Sequence, residues 1–327
     1  MPQPSATALL RGVVDYAGLF PPAGLAMADA VADYRAALAG PSAWMLGRFV
    51  VPASRLPELS AVLRPGALPA SASGAAVVSP WAVSAIVRDG AADDIAAIAA
   101  FNLEAGTLGA RVDSVESKPQ TLDGVDWLAV QARPVGDVYV EIAPGPEVDA
   151  WLARVAARGL RAKVRTGGLT AEAFPSPSAL AAFLAAAVRH GVPFKATAGL
   201  HHAVRGSYRL TYEPDAASAP MYGYLNVLVA TAALQAGEPV AVAEALLQLS
   251  DPGALGFADG SLRWGARTFD AAALAELRRR GLVSFGSCSF REPAGEFDAL
   301  ALSEPVVQVD RLAVREPVVQ VDGLAVR

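Results

Sequence analysis

The chain has almost no cysteine and little lysine or histidine. Its 327 residues include one cysteine, Cys288, and three histidines. A single cysteine excludes a disulfide within the chain and any metal cluster held by several cysteines. Only three of the 27 basic residues are lysines, namely Lys118, Lys163 and Lys195. Because the compact amine of lysine can lose its proton and act as a nucleophile or base, these three are the first candidates for chemistry.

Long hydrophobic runs, a basic leader and basic clusters are also missing. The longest apolar region, around 224–249, is broken by polar residues, glycine and proline, whereas a bilayer span needs roughly 18 to 20 unbroken apolar residues. The amino terminus lacks the pattern of a signal peptide. The net charge is −5, and no basic run points to nucleic acid. We therefore predict a cytoplasmic protein that binds neither membrane nor nucleic acid, and we leave a homo-oligomer open.

Short apolar stretches of strand length alternate with helical patterns along most of the chain. We predict strands at 13–15, 44–52, 81–87, 111–118, 138–143, 161–168, 193–199 and 283–290. Helical patterns lie between them at 27–38, 54–63, 93–104, 122–131, 147–157 and 178–189. Eight alternating units predict a (β/α)₈ TIM barrel over residues 1–300. An open doubly wound sheet is the alternative, disfavoured because no glycine-rich phosphate turn follows the first strand.

A long insertion, 203–282, separates the seventh and eighth predicted strands. It contains apolar helical patterns at 221–235, 239–249 and 269–280, and a hairpin pattern that turns at Asp259-Gly260. The interval is too long for a simple loop. We expect its first part, 203–220, to fold over the barrel mouth as a lid, with Arg205, Arg209 or Tyr212 facing the pocket.

The last 27 residues, 301–327, lie beyond the predicted barrel and contain a tandem repeat. EPVVQVDRLAVR is followed by EPVVQVDGLAVR, and the two copies differ at one position. We predict a flexible tail here and a flexible Pro/Gly/Ala/Ser loop at 65–79. The repeat is either a neutral duplication or a docking peptide that uses two copies to gain avidity for a partner.

Strand parity directs charged residues to one end of the lumen, because alternate residues of a barrel strand face inward and catalytic groups sit at the carboxyl ends. Parity predicts that these inward-facing groups lie on four neighbouring strands: Glu116, Lys118, Tyr139, Glu141, Lys163, Arg165, Lys195 and Thr197. Arg48 and Cys288 are weaker members, and Asp15 depends on the boundary of the first strand. The excess of cations predicts a positive pocket for a small phosphorylated or carboxylated metabolite. A buried ion-pair network that serves only the architecture is the alternative.

The segment FKATAGL resembles the K-T-S-T-G strand of deoxyribose-phosphate aldolases. The preceding AKVRTGGLT is similar to that family's preceding strand, so the likeness covers residues 162–200. By position, the resemblance implies that Lys195 forms a Schiff base with a substrate carbonyl. The family's second catalytic lysine, on the following strand, has no counterpart here, and VYVEIA lacks the family's aspartate. DYAGLFPPA and GLHHAVRG resemble bacterial proteins, and that likeness implies no activity.

The residues themselves also favour lysine chemistry. A nucleophilic lysine must be neutral, and a neighbouring cation in a dry lumen lowers its pKa. Adjacent strands place Lys163 and Arg165 beside Lys195, so we predict a lyase of the class I aldolase type with Lys195 as nucleophile. Lys163, Glu141 and Glu116 complete the predicted catalytic set, without a cofactor. The substrate-binding candidates are Lys118, Arg165, Thr197, Arg48, His201, His202 and Arg205.

Two other functions compete with the lyase. Glu116, Glu141 and His201 are hard or borderline ligands that would suit Mn²⁺, Mg²⁺ or Zn²⁺ in an isomerase or lyase. The cations nearby would repel such an ion. His201 and His202 are equally well explained as anchors of a loop. In the third interpretation, the barrel is a binding or scaffold protein whose repeated tail docks a partner.

Overall fold

The structure is a computed structural model that describes residues 4–64, 81–258, 260–264 and 267–302. The predicted loop at 65–79 and residues 303–327 of the predicted tail lie outside these ranges, whereas residues 301 and 302 of that tail end the last helix. The strands are β1 Val14–Tyr16, β2 Leu46–Pro52, β3 Trp81–Val87, β4 Ala110–Ser117, β5 Asp137–Glu141, β6 Arg161–Arg165, β7 Phe194–Thr197, β8 Gly206–Arg209, β9 Ser218–Met221, β10 Leu255–Ala258, β11 Ser261–Trp264, β12 Arg267–Asp270 and β13 Leu282–Ser287.

The helices alternate with the barrel strands. They are α1 Pro4–Leu10, α2 Met27–Ala39, α3 Leu56–Leu63, α4 Ala92–Leu103, α5 Ala105–Leu108, α6 Leu122–Gln131, α7 Val148–Ala157, α8 Pro177–Arg189, α9 Tyr224–Gln235, α10 Val240–Leu247, α11 Ala271–Arg280 and α12 Arg291–Leu302. β1 to β7 and β13 pair in parallel and close into one barrel, because β13 pairs with both β7 and β1. The predicted (β/α)₈ barrel is confirmed.

The barrel strands are covered on both faces, which explains their apolar sequences. In β3, Val83 and Ala85 are buried, and the intervening Ser84 reaches into the lumen, where its Oγ contacts Glu116. Outside the barrel, α8 begins at the predicted Ser176 cap, whose Oγ accepts a hydrogen bond from the Ala179 amide.

One segment, Ala171–Arg189, is long and apolar enough by length and composition to cross a bilayer. In the structure it forms a short 3₁₀ turn followed by α8, which packs against α7, α9 and α10. Leu180, Phe183 and Leu184 are fully buried in these contacts. In this structure α8 is an outer helix of the barrel that buries one face, and the cytoplasmic location stays a prediction.

The insertion between β7 and β13 carries more β structure than predicted. β8 and β9 form a two-stranded antiparallel sheet, and β10, β11 and β12 form a three-stranded one. The antiparallel pairing of β10 with β11 confirms the strands of the predicted hairpin, although Asp259 of its turn lies outside the described ranges. The predicted helices at the other positions are present as α9, α10 and α11.

The structure contradicts the assignment of Arg48 to the active-site pocket. Arg48 is the third residue of β2, and its guanidinium donates to Asp113 at 2.8 Å and to Asp137, the first residue of β5, at 3.1 Å. All three residues therefore lie toward the amino-terminal end of the barrel. The parity argument correctly predicts that Arg48 points inward. Its position near the start of β2 places it at the end of the barrel opposite the carboxyl ends of the strands, where TIM-barrel enzymes carry their sites.

We expect Arg48→Met to destabilise the protein without changing the residues that line the cavity at the carboxyl ends of the strands. The substitution leaves Asp113 without its hydrogen-bond donor and weakens the pairing of Asp137, so urea unfolding should show a loss of about 1–3 kcal/mol. Arg55→Met is the matched control, because Arg55 pairs with Glu58 at the exposed surface and should change stability by less than about 0.5 kcal/mol. Loss of ligand binding with unchanged stability would return Arg48 to the pocket.

Candidate functional site

A cavity of about 350 Å³ opens at the carboxyl ends of the barrel strands. Its inner part is lined by four nearly buried charged side chains from β4 to β7, which are Glu116, Glu141, Lys163 and Lys195. Its outer part is lined by residues of the loops after β1, β6, β7 and β13 and of the β8–β9 hairpin. This is the end of the barrel at which TIM-barrel enzymes carry their sites.

Lys195 lies deepest and binds two carboxylates. Its Nζ donates to Asp15 Oδ2 at 2.5 Å and to Glu116 Oε1 at 2.6 Å. The ring centroid of Tyr139 lies 5.2 Å from the same nitrogen. Asp15 is further fixed by Ser284, which donates to Oδ2, and by the Arg48 amide, which donates to Oδ1. The Lys195 ammonium is therefore surrounded by acceptors and is 1% exposed.

Lys163 occupies the next position toward the mouth. Its Nζ lies 2.8 Å from Glu116 Oε2 and 3.1 Å from Glu141 Oε2. The other oxygen of Glu141 lies 3.9 Å from Lys118 Nζ. Carboxylates and lysines thus alternate along one continuous ion-pair chain, which runs Asp15, Lys195, Glu116, Lys163, Glu141 and Lys118.

Strand register explains why these residues meet. Lys163 on β6 is paired directly with Lys195 on β7, and Glu141 on β5 is paired with Lys163. Residues that are paired in a parallel ladder share a face, so the three side chains enter the lumen side by side. At Gly47 a Cβ atom would lie 2.5 Å from Asp15 Oδ1, so glycine leaves room for that carboxylate.

The buried floor of the cavity carries no excess of cations, although the cavity lining as a whole has more Lys and Arg than Glu. Asp15 adds a third carboxylate, and Arg48 is absent, so the buried floor holds three carboxylates against two lysines. Burial alone would raise the pKa of Glu116, but Lys163 and Lys195 outweigh it and hold that pKa well below its usual range. The floor is a compensated ion-pair network, and the uncompensated cations lie nearer the mouth.

The structure also contradicts the expected lowering of the Lys195 pKa. Glu116 stands between Lys195 and Lys163, so the nearest charges to Lys195 are carboxylates. Burial alone would lower the pKa of Lys195, but Asp15 and Glu116 outweigh it and raise that pKa above its ordinary value. Lys195 is therefore an ammonium ion at neutral pH.

The outer wall of the cavity carries arginine and hydroxyl groups. Arg165 and Thr197 end β6 and β7, and Arg209 and Tyr212 come from the β8–β9 hairpin and its connection. The predicted lid segment therefore lies at the cavity mouth, while its opening and closing stay a prediction. Arg165 and Arg209 can meet an anionic group of a ligand at the rim.

A strained turn carries β7 into the mouth. Ala198 has a φ of 63°, a conformation that costs a non-glycine residue free energy. The hydroxyl of Thr166, at the end of β6, donates to the Ala198 carbonyl at 2.6 Å and so braces the turn. Gly199, with a φ of 76°, continues it. The turn delivers His201 and His202 to the cavity.

The two histidines are bound by successive turns of α12. His201 Nδ1 lies 2.9 Å from Glu292 Oε2, and His202 Nδ1 lies 2.6 Å from Glu296 Oε1. Cys288 Sγ lies 3.8 Å from His201 Nε2. Burial opposes protonation of His201, but its contacts with Cys288 and Glu292 outweigh it and raise its pKa to about 9. His201 is thus an anchor of the loop after β7 and also an ionisable group that lines the cavity.

Several predicted substrate-binding residues do not line the cavity. Lys118 lies just beyond β4, is largely exposed and touches the network only through Glu141. Arg205 stacks over the ring of Tyr222, with its guanidinium carbon 5.0 Å from the ring centroid. Sequence reasoning left Asp15 unresolved and missed Ser84, Ser284 and Glu292. Inward parity was the one signal that could have indicated the two serines. Glu292 lies on α12, a helix that the sequence analysis did not predict.

The metal alternative gains no support from the geometry. Both Glu116 and Glu141 are engaged by lysines, and His201 is engaged by Glu292. Within the described ranges, no group of three or more His, Cys, Asp or Glu side chains is arranged to hold an ion. The expected absence of a cofactor stays a prediction.

The comparisons with known proteins give no family. No family model matches the chain, and a search of curated proteins finds no match either. Function is therefore argued from the site alone.

We expect Glu116→Gln to destabilise the fold strongly. The amide cannot compensate two buried ammonium groups, so the free energy of unfolding should fall by about 3–5 kcal/mol. Because folding lowers the pKa of Glu116, its contribution is present above the unfolded value of about 4.3 and is lost as the pH falls below it.

The difference in unfolding free energy between wild type and Glu116→Gln should accordingly be largest above about pH 5 and should shrink in acid. Denaturant unfolding at pH 7 and pH 3 measures both values. Lys118→Met is the control, because an exposed substitution should change stability by less than about 0.5 kcal/mol. A difference that grows toward low pH would contradict the ionised state of Glu116.

Proposed function

We propose that the protein is an enzyme of the lyase class, which acts on a small anionic carbonyl compound through a lysine imine, with Lys163 as the nucleophile. The observation that carries the proposal is the position of Lys163 in the ion-pair chain. Each of its two carboxylate partners has a second cation: Glu116 also binds Lys195, and Glu141 also faces Lys118. Lys163 can therefore lose its charge without leaving a carboxylate unpaired.

Lys195 does not have this property. Among the described residues, Asp15 forms an ion pair with Lys195 alone, at 2.5 Å. Neutralising Lys195 would leave Asp15 buried without a paired cation, which is energetically costly. Its raised pKa favours the same conclusion. We therefore move the nucleophile from Lys195, the sequence-based choice, to Lys163, and give Lys195 the role of a permanent cation that holds Glu116 ionised.

The reaction begins with a proton transfer inside the network. Lys163 must become neutral before it can attack a carbonyl. Glu141 Oε2, 3.1 Å from Lys163 Nζ, is placed to accept that proton. The neutral amine adds to the substrate carbonyl, and water leaves with the proton returned by Glu141. The resulting iminium accepts the electron pair of the adjacent C–C or C–H bond when that bond breaks.

Substrate charge is read at the rim. Arg165 and Arg209 face the cavity at its outer end, and a carboxylate or phosphate placed there leaves the carbonyl directed at the floor. A cavity of about 350 Å³ lies at the lower end of the usual range for small-molecule sites, which favours a substrate of a few carbon atoms. The repeated tail lies outside the described ranges, so the scaffold alternative gains no observation.

Reductive trapping tests the nucleophile. The full chain is incubated with pyruvate or glyceraldehyde 3-phosphate, reduced with borohydride, weighed and mapped by peptide mass. We expect one adduct, on Lys163, which is absent from Lys163→Arg because a guanidinium is too basic to form an imine. Lys195→Arg keeps the cation and should still be labelled at Lys163. An adduct on Lys195 alone would restore the sequence-based nucleophile, and no adduct with any carbonyl compound would refute imine chemistry.

Recognition of the substrate anion at the rim can be tested with two arginines, Arg209 at the end of β8 and Arg205 just before that strand. Arg209→Gln should weaken the trapping of glyceraldehyde 3-phosphate about tenfold, equivalent to about 1.4 kcal/mol, and should leave the trapping of neutral glyceraldehyde unchanged. Arg205→Gln is the matched control, because Arg205 faces Tyr222 outside the cavity. Equal effects of the two substitutions would show that Arg209 does not read the substrate anion.

A further inference from the structure

A second potential nucleophile lies at the mouth of the same cavity. Cys288 follows β13, lines the cavity and is the single cysteine of the chain. Its Sγ lies 3.8 Å from His201 Nε2 and 3.6 Å from the Tyr212 hydroxyl. Neither contact serves the proposed imine chemistry at Lys163. The arrangement therefore needs an explanation of its own.

The third member is Glu292 on α12. Its Oε2 lies 2.9 Å from His201 Nδ1 and accepts a hydrogen bond from Tyr212 at 3.3 Å. Nucleophile, base and orienting carboxylate are thus in the order sulfur, imidazole, carboxylate that covalent catalysis by cysteine requires. The carboxylate contacts Nδ1, and the sulfur lies beside the ring, 3.8 Å from Nε2 and 4.0 Å from Nδ1. All four side chains line the cavity.

We propose that Cys288 and His201, oriented by Glu292, form a second covalent centre whose sulfur adds reversibly to an aldehyde at the cavity mouth. The Cys288 thiol gives its proton to water, and the sulfur forms a bond to the carbonyl carbon. The π electrons of the C=O bond move to oxygen, which takes a proton from Nε2 of the charged His201, and His201 regains a proton from water. The product is a thiohemiacetal, so atoms and electrons balance without an oxidant or reductant.

The surroundings of the sulfur suit this proton transfer. The pKa of His201 is raised to about 9, so the imidazole is charged at neutral pH and can donate a proton to the oxygen that forms. The ionisable groups that face the pair are Glu292 on α12, Tyr212 beside the hairpin and Tyr16 on β1. Glu292 stabilises the His201 imidazolium, and the phenols of Tyr212 and Tyr16 are neutral at pH 7.

The choice of an aldehyde rests on the proposed function, because the same cavity holds the lysine assigned to a carbonyl. The thiol would capture the aldehyde at the rim and release it to the floor. The reactivity of the Cys288 sulfur toward an alkylating agent does not depend on Lys163. The experiment therefore measures the two properties in different arms.

The first arm measures alkylation by iodoacetamide at pH 7 from the intact mass of the full chain. We expect Cys288 to react faster in the native chain than in the urea-unfolded chain. His201→Ala should lower the native rate at least about tenfold, and added imidazole should restore part of it, which a purely structural role would not allow. His190→Ala is the control, since His190 pairs with Asp149 on the outer helices. A native rate below the unfolded rate would overturn the proposal.

The second arm is carried out in Lys163→Arg, where an imine at Lys163 cannot form. Glyceraldehyde 3-phosphate should slow the alkylation of Cys288 in this variant as it does in wild type. Glycerol 3-phosphate, which has the same anion but no carbonyl, should give no protection. Equal protection by the two compounds, or none by either, would refute the thiohemiacetal. This outcome is independent of trapping at Lys163, so the two proposals can fail separately.

Discussion

The structure of the site depends on one carboxylate that is shared between two buried lysines. Glu116 offers Oε1 to Lys195 and Oε2 to Lys163, at 2.6 and 2.8 Å. Without it each ammonium would keep a single carboxylate partner, Asp15 for Lys195 and Glu141 for Lys163, and would be less well compensated in the lumen. The same carboxylate also accepts a hydrogen bond from Ser84, so four strands, β3, β4, β6 and β7, are joined at one side chain. The chemistry assigned to Lys163 is a consequence of this sharing, since the network keeps Glu116 paired when Lys163 becomes neutral.

Much of the fold and part of the site follow from the sequence, for physical reasons that differ between residues. Parallel strands covered on both faces must be apolar, so β2 to β7 and β13 stand out from the helical patterns between them. Inward parity then identifies Glu116, Glu141, Lys163 and Lys195, because paired residues in a parallel ladder share a face. Parity does not say how far along the barrel a residue lies. That is why Arg48 was placed in the pocket although it binds Asp113 and Asp137 near the opposite end.

The ionisation of the site was predicted less well than its membership. Asp15 belongs to a strand of three residues, whose phase no alternation can fix. Without it, the lumen is a cluster of cations and Lys195 is expected to lose its proton. With it, Lys195 is bound by two carboxylates, and the same parity argument leads to a protonated lysine. The charge state of a buried group depends on which charged atoms it contacts. A sequence identifies those contacts only when the boundary of every strand is known.

The floor and the mouth of the cavity respond to different ranges of pH. The floor is held by buried pairs, and the lowered pKa of Glu116 keeps that carboxylate ionised through the neutral range. The mouth is held by α12, which binds His201 through Glu292 and His202 through Glu296, four residues further on. Folding raises the pKa of His201 to about 9, so its charged pairing contributes fully below about pH 6.5 and is lost as the pH rises toward and through about 9. An alkaline shift therefore loosens the attachment of the β7 loop to α12 while the ion-pair chain below it stays intact.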